Sequence, residues 1–291
     1  MKIGVCLPYM QRGISRGNFK DWCRLIDQGP FHSLSCGERI TGYSYEMRNI
    51  LAFAAAVTER VRIIPALYVL PMHSAVQAAK EIATLDILSE GRVTLTVGVG
   101  GRENDYKALD ASMKNRFQKM DDQIAVMKKI WRGECLEGLD EIGPIPIQAG
   151  GPPILVGAMG PKSINRVAHW ADGLYGFAMD GDPGLINHFF TSADTAWQDA
   201  GRDTKPYRMG GFWYSLADNS QTALGDYVFD YLKIFGEKDA RDVANGMKMH
   251  DPIAIKDGIN AIAALGCDEI QLVPASCEIA EVERLANILA K

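Results

Sequence analysis

Gly91-Arg92-Val93-Thr94-Leu95-Thr96-Val97-Gly98-Val99-Gly100-Gly101-Arg102-Glu103-Asn104-Asp105-Tyr106 is the stretch from which the rest of the chain can be read. Val93, Leu95, Val97 and Val99 alternate with Thr94, Thr96, Gly98 and Gly100, a period of two that predicts a strand. The branched side chains suit one face packed against helices. The Thr and Gly residues on the other face suit a crowded interior. The strand then runs into glycines and the polar cluster 102–105, where backbone is open to close approach by a flat ligand and charged groups stand ready to orient it. A buried strand ending in an ordinary polar turn would give the same residues, so the stretch alone leaves both readings open.

The chain has 291 residues, enough for one large domain or two small ones, and its 47% hydrophobic and 23% charged content is that of a globular protein with a sizeable core. A net charge of -5 argues against non-specific nucleic-acid binding, which needs a basic face. The longest apolar run, 50–57, is too short to span a bilayer, and a strand pattern begins at once in Met1-Lys2-Ile3-Gly4-Val5, which leaves no visible signal peptide. Cys6, Cys23, Cys36, Cys135, Cys267 and Cys277 lie far apart and read as reduced thiols. The five histidines show no metal-ligand spacing. The expectation is a cytoplasmic protein without a metal, a membrane segment or a nucleic-acid partner.

Strand patterns fall at 3–7, 31–36, 61–69, 93–99, 153–157, 174–177, 209–216 and 269–273. Helical patterns fall between them: around Phe19, Trp22, Cys23 and Ile26, then at 45–58, 75–88, 116–131, 161–170, 183–200, 221–235, 240–248, 252–265 and 278–289. Phe117, Met120, Ile124, Met127 and Ile130 form the apolar stripe of the helix at 116–131. Eight strands alternating with helices predict a (β/α)8 TIM barrel forming a single domain over 1–291; a doubly wound sheet stays open, because strand count does not show closure. The insertion 134–152 precedes a strand and so falls on the face away from a barrel's chemistry.

In a barrel, functional residues stand where strands end and helices begin. Those ends here are mostly apolar, aromatic or glycine, and no Ser/His/Asp set or close carboxylate pair emerges. Such a site binds a large flat ligand and leaves the reaction to it. In Gly157-Ala158-Met159-Gly160-Pro161, glycines at a strand end and a proline where a helix begins leave free amides for a phosphate, although a tight strand-to-helix turn would give the same residues.

Two blocks carry a resemblance. One is Glu59-Arg60-Val61-Arg62-Ile63 through Ala78-Ala79-Lys80-Glu81-Ile82-Ala83-Thr84-Leu85-Asp86-Ile87-Leu88-Ser89-Glu90-Gly91-Arg92 to Val97-Gly98-Val99-Gly100. The other runs from Pro152-Pro153-Ile154-Leu155-Val156-Gly157 to Pro161 and then Ala171-Asp172-Gly173. With these the chain resembles the bacterial luciferase-like family of flavin and deazaflavin oxidoreductases. The resemblance implies a barrel that holds FMN or coenzyme F420 (8-hydroxy-5-deazaflavin) noncovalently over its strand ends. It places the family's non-proline cis peptide at Ala66-Leu67 beneath the ring, with Gly98, Gly100 and Gly101 beside the cofactor and Gly157, Ala158, Met159 and Gly160 around its phosphate. Glu103 falls where sugar-phosphate dehydrogenases of the family keep a catalytic acid; a solvated loop carboxylate is the plainer reading of the same residue. Where luciferases carry a histidine base after the second strand, this chain reads Glu38-Arg39-Ile40, which argues against aldehyde luminescence and sugar-phosphate oxidation. Arg39 then becomes a candidate for binding an anionic substrate or the cofactor, or a simple partner for Glu38. His73, past the third strand, is a candidate for the phosphate tail or a packing residue.

Three functions compete. An oxidoreductase would perform hydride transfer with F420 or monooxygenation with FMN on a small organic substrate, the latter with a flavin reductase as partner; the compact length favours the deazaflavin. A flavin-binding protein of the same fold without turnover would show the same site. A phosphosugar aldolase or isomerase would need a lysine or a Glu/His pair at strand ends, and Lys80, Lys107 and Lys162 are not so placed. Luciferase-like barrels often pair, so the apolar helix at 45–57 is a candidate homodimer face, although the same stripe suits a core.

Overall fold

A computed structural model describes residues 1–290. In order the elements are β1 (Lys2–Cys6), α1 (Arg16–Gln28), β2 (Ser33–Cys36), α2 (Met47–Val57), β3 (Arg62–Val69), a 3-10 turn (Leu70–Met72), α3 (Ala75–Leu88), β4 (Leu95–Gly98), α4 (Glu103–Ala108), α5 (Arg116–Trp131), β5 (Ile154–Val156), α6 (Pro161–Val167), β6 (Gly173–Phe177), α7 (Pro183–Asp199), β7 (Tyr207–Tyr214), α8 (Ser220–Leu232), a 3-10 turn (Lys233–Phe235), α9 (Glu237–Gly246), α10 (Pro252–Ala264), β8 (Glu269–Pro274) and α11 (Ala280–Leu289). All neighbouring strands are parallel, and β8 pairs with β1 to close an eight-stranded barrel. The barrel expectation holds and the open doubly wound sheet is excluded.

The helices begin where short polar side chains can cap free amides. Ser15 and Asn18 cap α1 reciprocally, Ser74 caps α3, and Asp182 and Asp251 cap α7 and α10 just before a proline. Their apolar faces pack on the outward residues of the strands, among them Val93, Leu95 and Val97. The anchor strand is shorter than its alternation suggests: regular pairing covers Leu95–Gly98, and Val93 makes only an isolated bridge to Ile63. Phe117 departs from the predicted stripe. It stands outside α5 between the guanidiniums of Arg116 and Arg166, whereas Met120, Ile124, Met127 and Ile130 are buried. The insertion 134–152 folds under the barrel, where Gln148 bonds both oxygens of Asp86 and Lys80 reaches the carbonyl of Gly143.

The floor of the barrel interior is polar. Glu269, 2% exposed, accepts hydrogen bonds from Ser33 Oγ, from Gln271 Nε2 at 2.9 Å and from Tyr207 Oη at 2.8 Å. Gly4 makes room for this cluster: a Cβ there would stand 2.1 Å from Gln271 Nε2 and 2.2 Å from Ser33 Oγ. Above the floor Ile64, Leu155, Tyr175 and Met209 fill the interior, so the open space is left to the strand ends.

Two destabilisations follow. Glu269→Ala strands three buried donors and should lower unfolding free energy by about 3 kcal/mol in urea titration. Gly4→Ala should cost about 1–3 kcal/mol through overpacking, read as a lowered Tm.

Candidate active site

A cavity of about 300 Å³ opens at the C-terminal ends of the strands. Its floor is the bulge in β3, where the register to β4 shifts between Ala66 and Tyr68 and the Ala66-Leu67 peptide is cis. The Leu67 side chain lies between two glycines. A Cβ at Gly98 or at Gly157 would stand 2.8 Å from Leu67 Cδ1. Gly100, at φ 60, turns the chain beside Val69, and a Cβ at Gly101 would meet nothing within 4 Å. The walls bring Cys6, Tyr9, Tyr175 and Phe177 from the strand ends, and the roof comes from Trp213, Tyr227, Tyr231 and Phe235.

Among the nine residues expected around a cofactor, Ala66, Leu67, Gly100, Gly101, Gly157 and Met159 line this cavity. Gly98 lies behind Leu67, and Ala158 is buried beside the strand end. Gly160, also outside the lining, caps the seven-residue α6. The amide of Gly157 is taken by the carbonyl of Val97 at 2.9 Å, whereas those of Ala158, Met159 and Gly160 make no hydrogen bond among the described residues.

The expected acid and base stand differently. The polar cluster after β4 is not a loop but the short α4, whose outer side carries Glu103, 68% exposed and paired with Lys107 at 2.9 Å. Its inner side carries Asp105 and Tyr106. Glu103 therefore faces solvent, and the carboxylate that α4 gives to the cavity wall is Asp105. Both amide and hydroxyl of Thr41 bond Asp105 Oδ1. Arg39 does not pair with Glu38. Its Nε donates to the carbonyl of Thr41 at 2.8 Å and its guanidinium stands 5.9 Å from the Tyr231 ring centre.

Glu38 is instead the centre of a buried network. Its carboxylate, 2% exposed, accepts from the amide of Val69 at 2.7 Å and meets His73 Nε2 at 2.8 Å, with Arg48 Nη1 at 3.6 Å. His73 is thus engaged behind the cavity wall. Arg48 continues outward to Glu46 at 2.6 Å and Glu81 at 3.7 Å, within the groove between α2 and α3.

Apart from Arg102, the remaining polar groups of the cavity are neutral. Burial pushes the Cys6 thiol up to about 12, so it is no thiolate nucleophile. Burial likewise raises the phenols of Tyr9, Tyr175, Tyr227 and Tyr231, whose hydroxyls have no hydrogen-bond partner among the described residues. No group of His, Cys, Asp or Glu among the described residues could hold a metal ion. The cavity thus presents glycine, aliphatic and aromatic surface for binding.

Of the roof, Tyr227, Tyr231 and Phe235 fall outside the sequence expectations, which follow strand ends and so reach only Trp213. Tyr227, Tyr231 and Phe235 recur every four residues, one face of a helix, and that spacing was the available signal. The inward Asp105 was likewise legible once 103–107 is read as helix, because residues 103 and 107 then share the opposite side.

Removing Glu38 tests the network: Glu38→Ala leaves the Val69 amide, His73 and Arg48 without their partner and should cost about 3 kcal/mol by urea denaturation. Comparison with known proteins adds the lineage. An F420-dependent hydroxymycolic acid dehydrogenase of Mycobacterium tuberculosis is 33% identical over 130 residues, 42% of this chain and 36% of that protein. The oxygenase component of a flavin-dependent trigonelline monooxygenase of Acinetobacter baylyi is 27% identical over 153 residues, 48% of this chain and 42% of that protein. The matches span 36% and 42% of the length of these two curated relatives, and 57% of an uncharacterized protein of Mycobacterium bovis that is 33% identical over 165 residues. An F420-dependent secondary alcohol dehydrogenase, solved with an F420-acetone adduct, shares the fold with a TM-score of 0.80 at 18% identity, over 99% of this chain and 97% of that one. A family model described as luciferase-like monooxygenase matches residues 1–263, and the chain belongs to that family.

Proposed function

We propose that this chain is an oxidoreductase that binds coenzyme F420 or FMN noncovalently at the C-terminal mouth of its barrel and acts on a small organic substrate. The observation that carries this reading is the cavity floor. The Ala66-Leu67 bulge, backed by Gly98 and Gly157, presents a broad apolar surface, and a Cβ at the neighbouring Gly101 would meet nothing within 4 Å. A planar tricyclic ring fits that floor, and the aromatic roof leaves the ring's other face to a substrate. The unengaged amides of Ala158, Met159 and Gly160 suit the ring's phosphate. When bound, the cofactor supplies the redox chemistry: hydride transfer with the deazaflavin, oxygenation with FMN.

The chain's own residues then bind, orient and shield. Leu67 would lie beneath the ring, the phenols of Tyr9 and Tyr175 would offer hydrogen bonds from the wall, and Trp213, Tyr227, Tyr231 and Phe235 would keep water from the reacting face. Glu103, turned to solvent, has no part in this reading. The relatives support both cofactors, one named as F420-dependent and the other as a flavin-dependent oxygenase component. With FMN a separate flavin reductase would be the partner. A flavin-binding protein without turnover remains the second reading, favoured by the engagement of both carboxylates on the cavity wall.

Titration of the purified protein with FMN and, separately, with F420, followed by cofactor fluorescence, should give saturable binding of one of them. Binding of neither overturns the cofactor reading. Substrate-dependent consumption of the reduced cofactor then separates the enzyme from the binding protein.

A further inference from the structure

The rim of the cavity carries more positive charge than its surroundings balance. Arg39 follows β2 and Arg102 follows β4, and both are tied to one anchor. Thr41 accepts from Arg39 Nε through its carbonyl, and donates to Asp105 Oδ1 through its amide and hydroxyl. Arg102 Nε approaches the other oxygen of Asp105 at only 3.5 Å, without a hydrogen bond, and is shielded from solvent with no other partner. Arg102 Nη1 reaches the carbonyl of Tyr231 at 3.5 Å. Arg39 forms no ion pair among the described residues; its Nη1 lies against Met10 Sδ at 3.6 Å. Arg102 thus faces one carboxylate that already receives two hydrogen bonds, and Arg39 has none of its own. The remaining carboxylate of the wall, Glu38, is occupied by Val69, His73 and Arg48. Burial, with Arg39 as the next cause, holds Arg102 below its ordinary value.

A partly buried cation without a full counter-charge is costly, and an arriving anion relieves that cost. The walls beside it say what shape the anion has. Phe177, Tyr227 and Tyr231 all meet Trp213 edge-on, with ring centres 5.6, 5.7 and 4.9 Å away, so the four rings pack as one aromatic wall of a slot whose lining also includes Arg102. The hydroxyls of Tyr227 and Tyr231 are free to bond within it.

Resting on the oxidoreductase reading and extending it to substrate class, we propose that Arg39 and Arg102 receive the carboxylate of a planar organic acid whose ring lies in the slot formed by Phe177, Trp213, Tyr227 and Tyr231. Guanidinium matches carboxylate geometry and the neighbouring rings match a planar body. A cofactor phosphate offers similar oxygens. It has free amides waiting after β5, and Arg39 stands after β2, three strands away round the barrel.

The test is calorimetric titration with benzoate and with its neutral analogue benzamide at fixed ionic strength, on the protein alone and loaded with whichever cofactor it binds. Wild type should bind benzoate about tenfold or more tightly than benzamide. Arg39→Gln, which breaks no ion pair and should keep the wild-type Tm, should erase that preference while changing benzamide affinity less than about twofold. Equal affinities in wild type, absence of binding by both, or a preference that survives in Arg39→Gln overturns the assignment. So does a tenfold fall in the FMN-to-riboflavin affinity ratio in Arg39→Gln, which would give the arginine to the cofactor phosphate. The cofactor reading is judged separately: a benzoate preference with no cofactor bound sinks that reading and keeps the anion site, and a bound cofactor with no benzoate preference does the reverse.

Discussion

Room inside the closed barrel is the constraint on which everything else here depends. Eight strands enclose an interior that a few layers of side chains fill, so each large residue placed within must be matched by an absence opposite it. Gly4 is such an absence at the bottom and lets Ser33, Gln271, Tyr207 and Glu269 close a polar floor with their donors satisfied. Gly98 and Gly157 are such absences at the top and let Leu67 lie across the mouth. The same steric rule seals one end of the barrel and leaves a platform at the other.

This is also why the fold could be read so far from the sequence. Alternation of branched residues with Thr and Gly in 93–100 reports a strand whose inner face must stay small, and eight such patterns with intervening helices leave few architectures. The position of the bulge at Ala66 and Leu67 came from resemblance, not from periodicity. Side-chain direction within short polar stretches was not legible. Glu103 and Asp105 are two residues apart in the same cluster, and only the winding of α4 decides that one pairs with Lys107 in solvent while the other holds Thr41. Glu38 and Arg39 are adjacent and opposite in charge, yet they reach different neighbours, one the amide of Val69 on β3 and the other the carbonyl of Thr41. Contacts between segments far apart in the chain decide such cases.

Charge is handled in two ways around the cavity. Behind the β3 side, Glu38, His73, Arg48, Glu46 and Glu81 form a continuous run in which Arg48 meets all three carboxylates and His73 bonds Glu38. On the β2 and β4 side, Asp105 stands alone before Arg39 and Arg102. The first arrangement fixes the strand end that carries Leu67. The second leaves the rim with an electrostatic preference that the apolar slot alone would lack.

The roof has a different origin from the floor. The floor is backbone and small side chains contributed by β3, β4 and β5, bound to the closure of the barrel itself. Three of the four roof rings, Tyr227, Tyr231 and Phe235, come from one continuous segment that lies outside the strands. The two halves of the cavity are therefore mechanically and genetically separable. A change in those nine residues would replace three of the four roof rings while the platform beneath keeps its form.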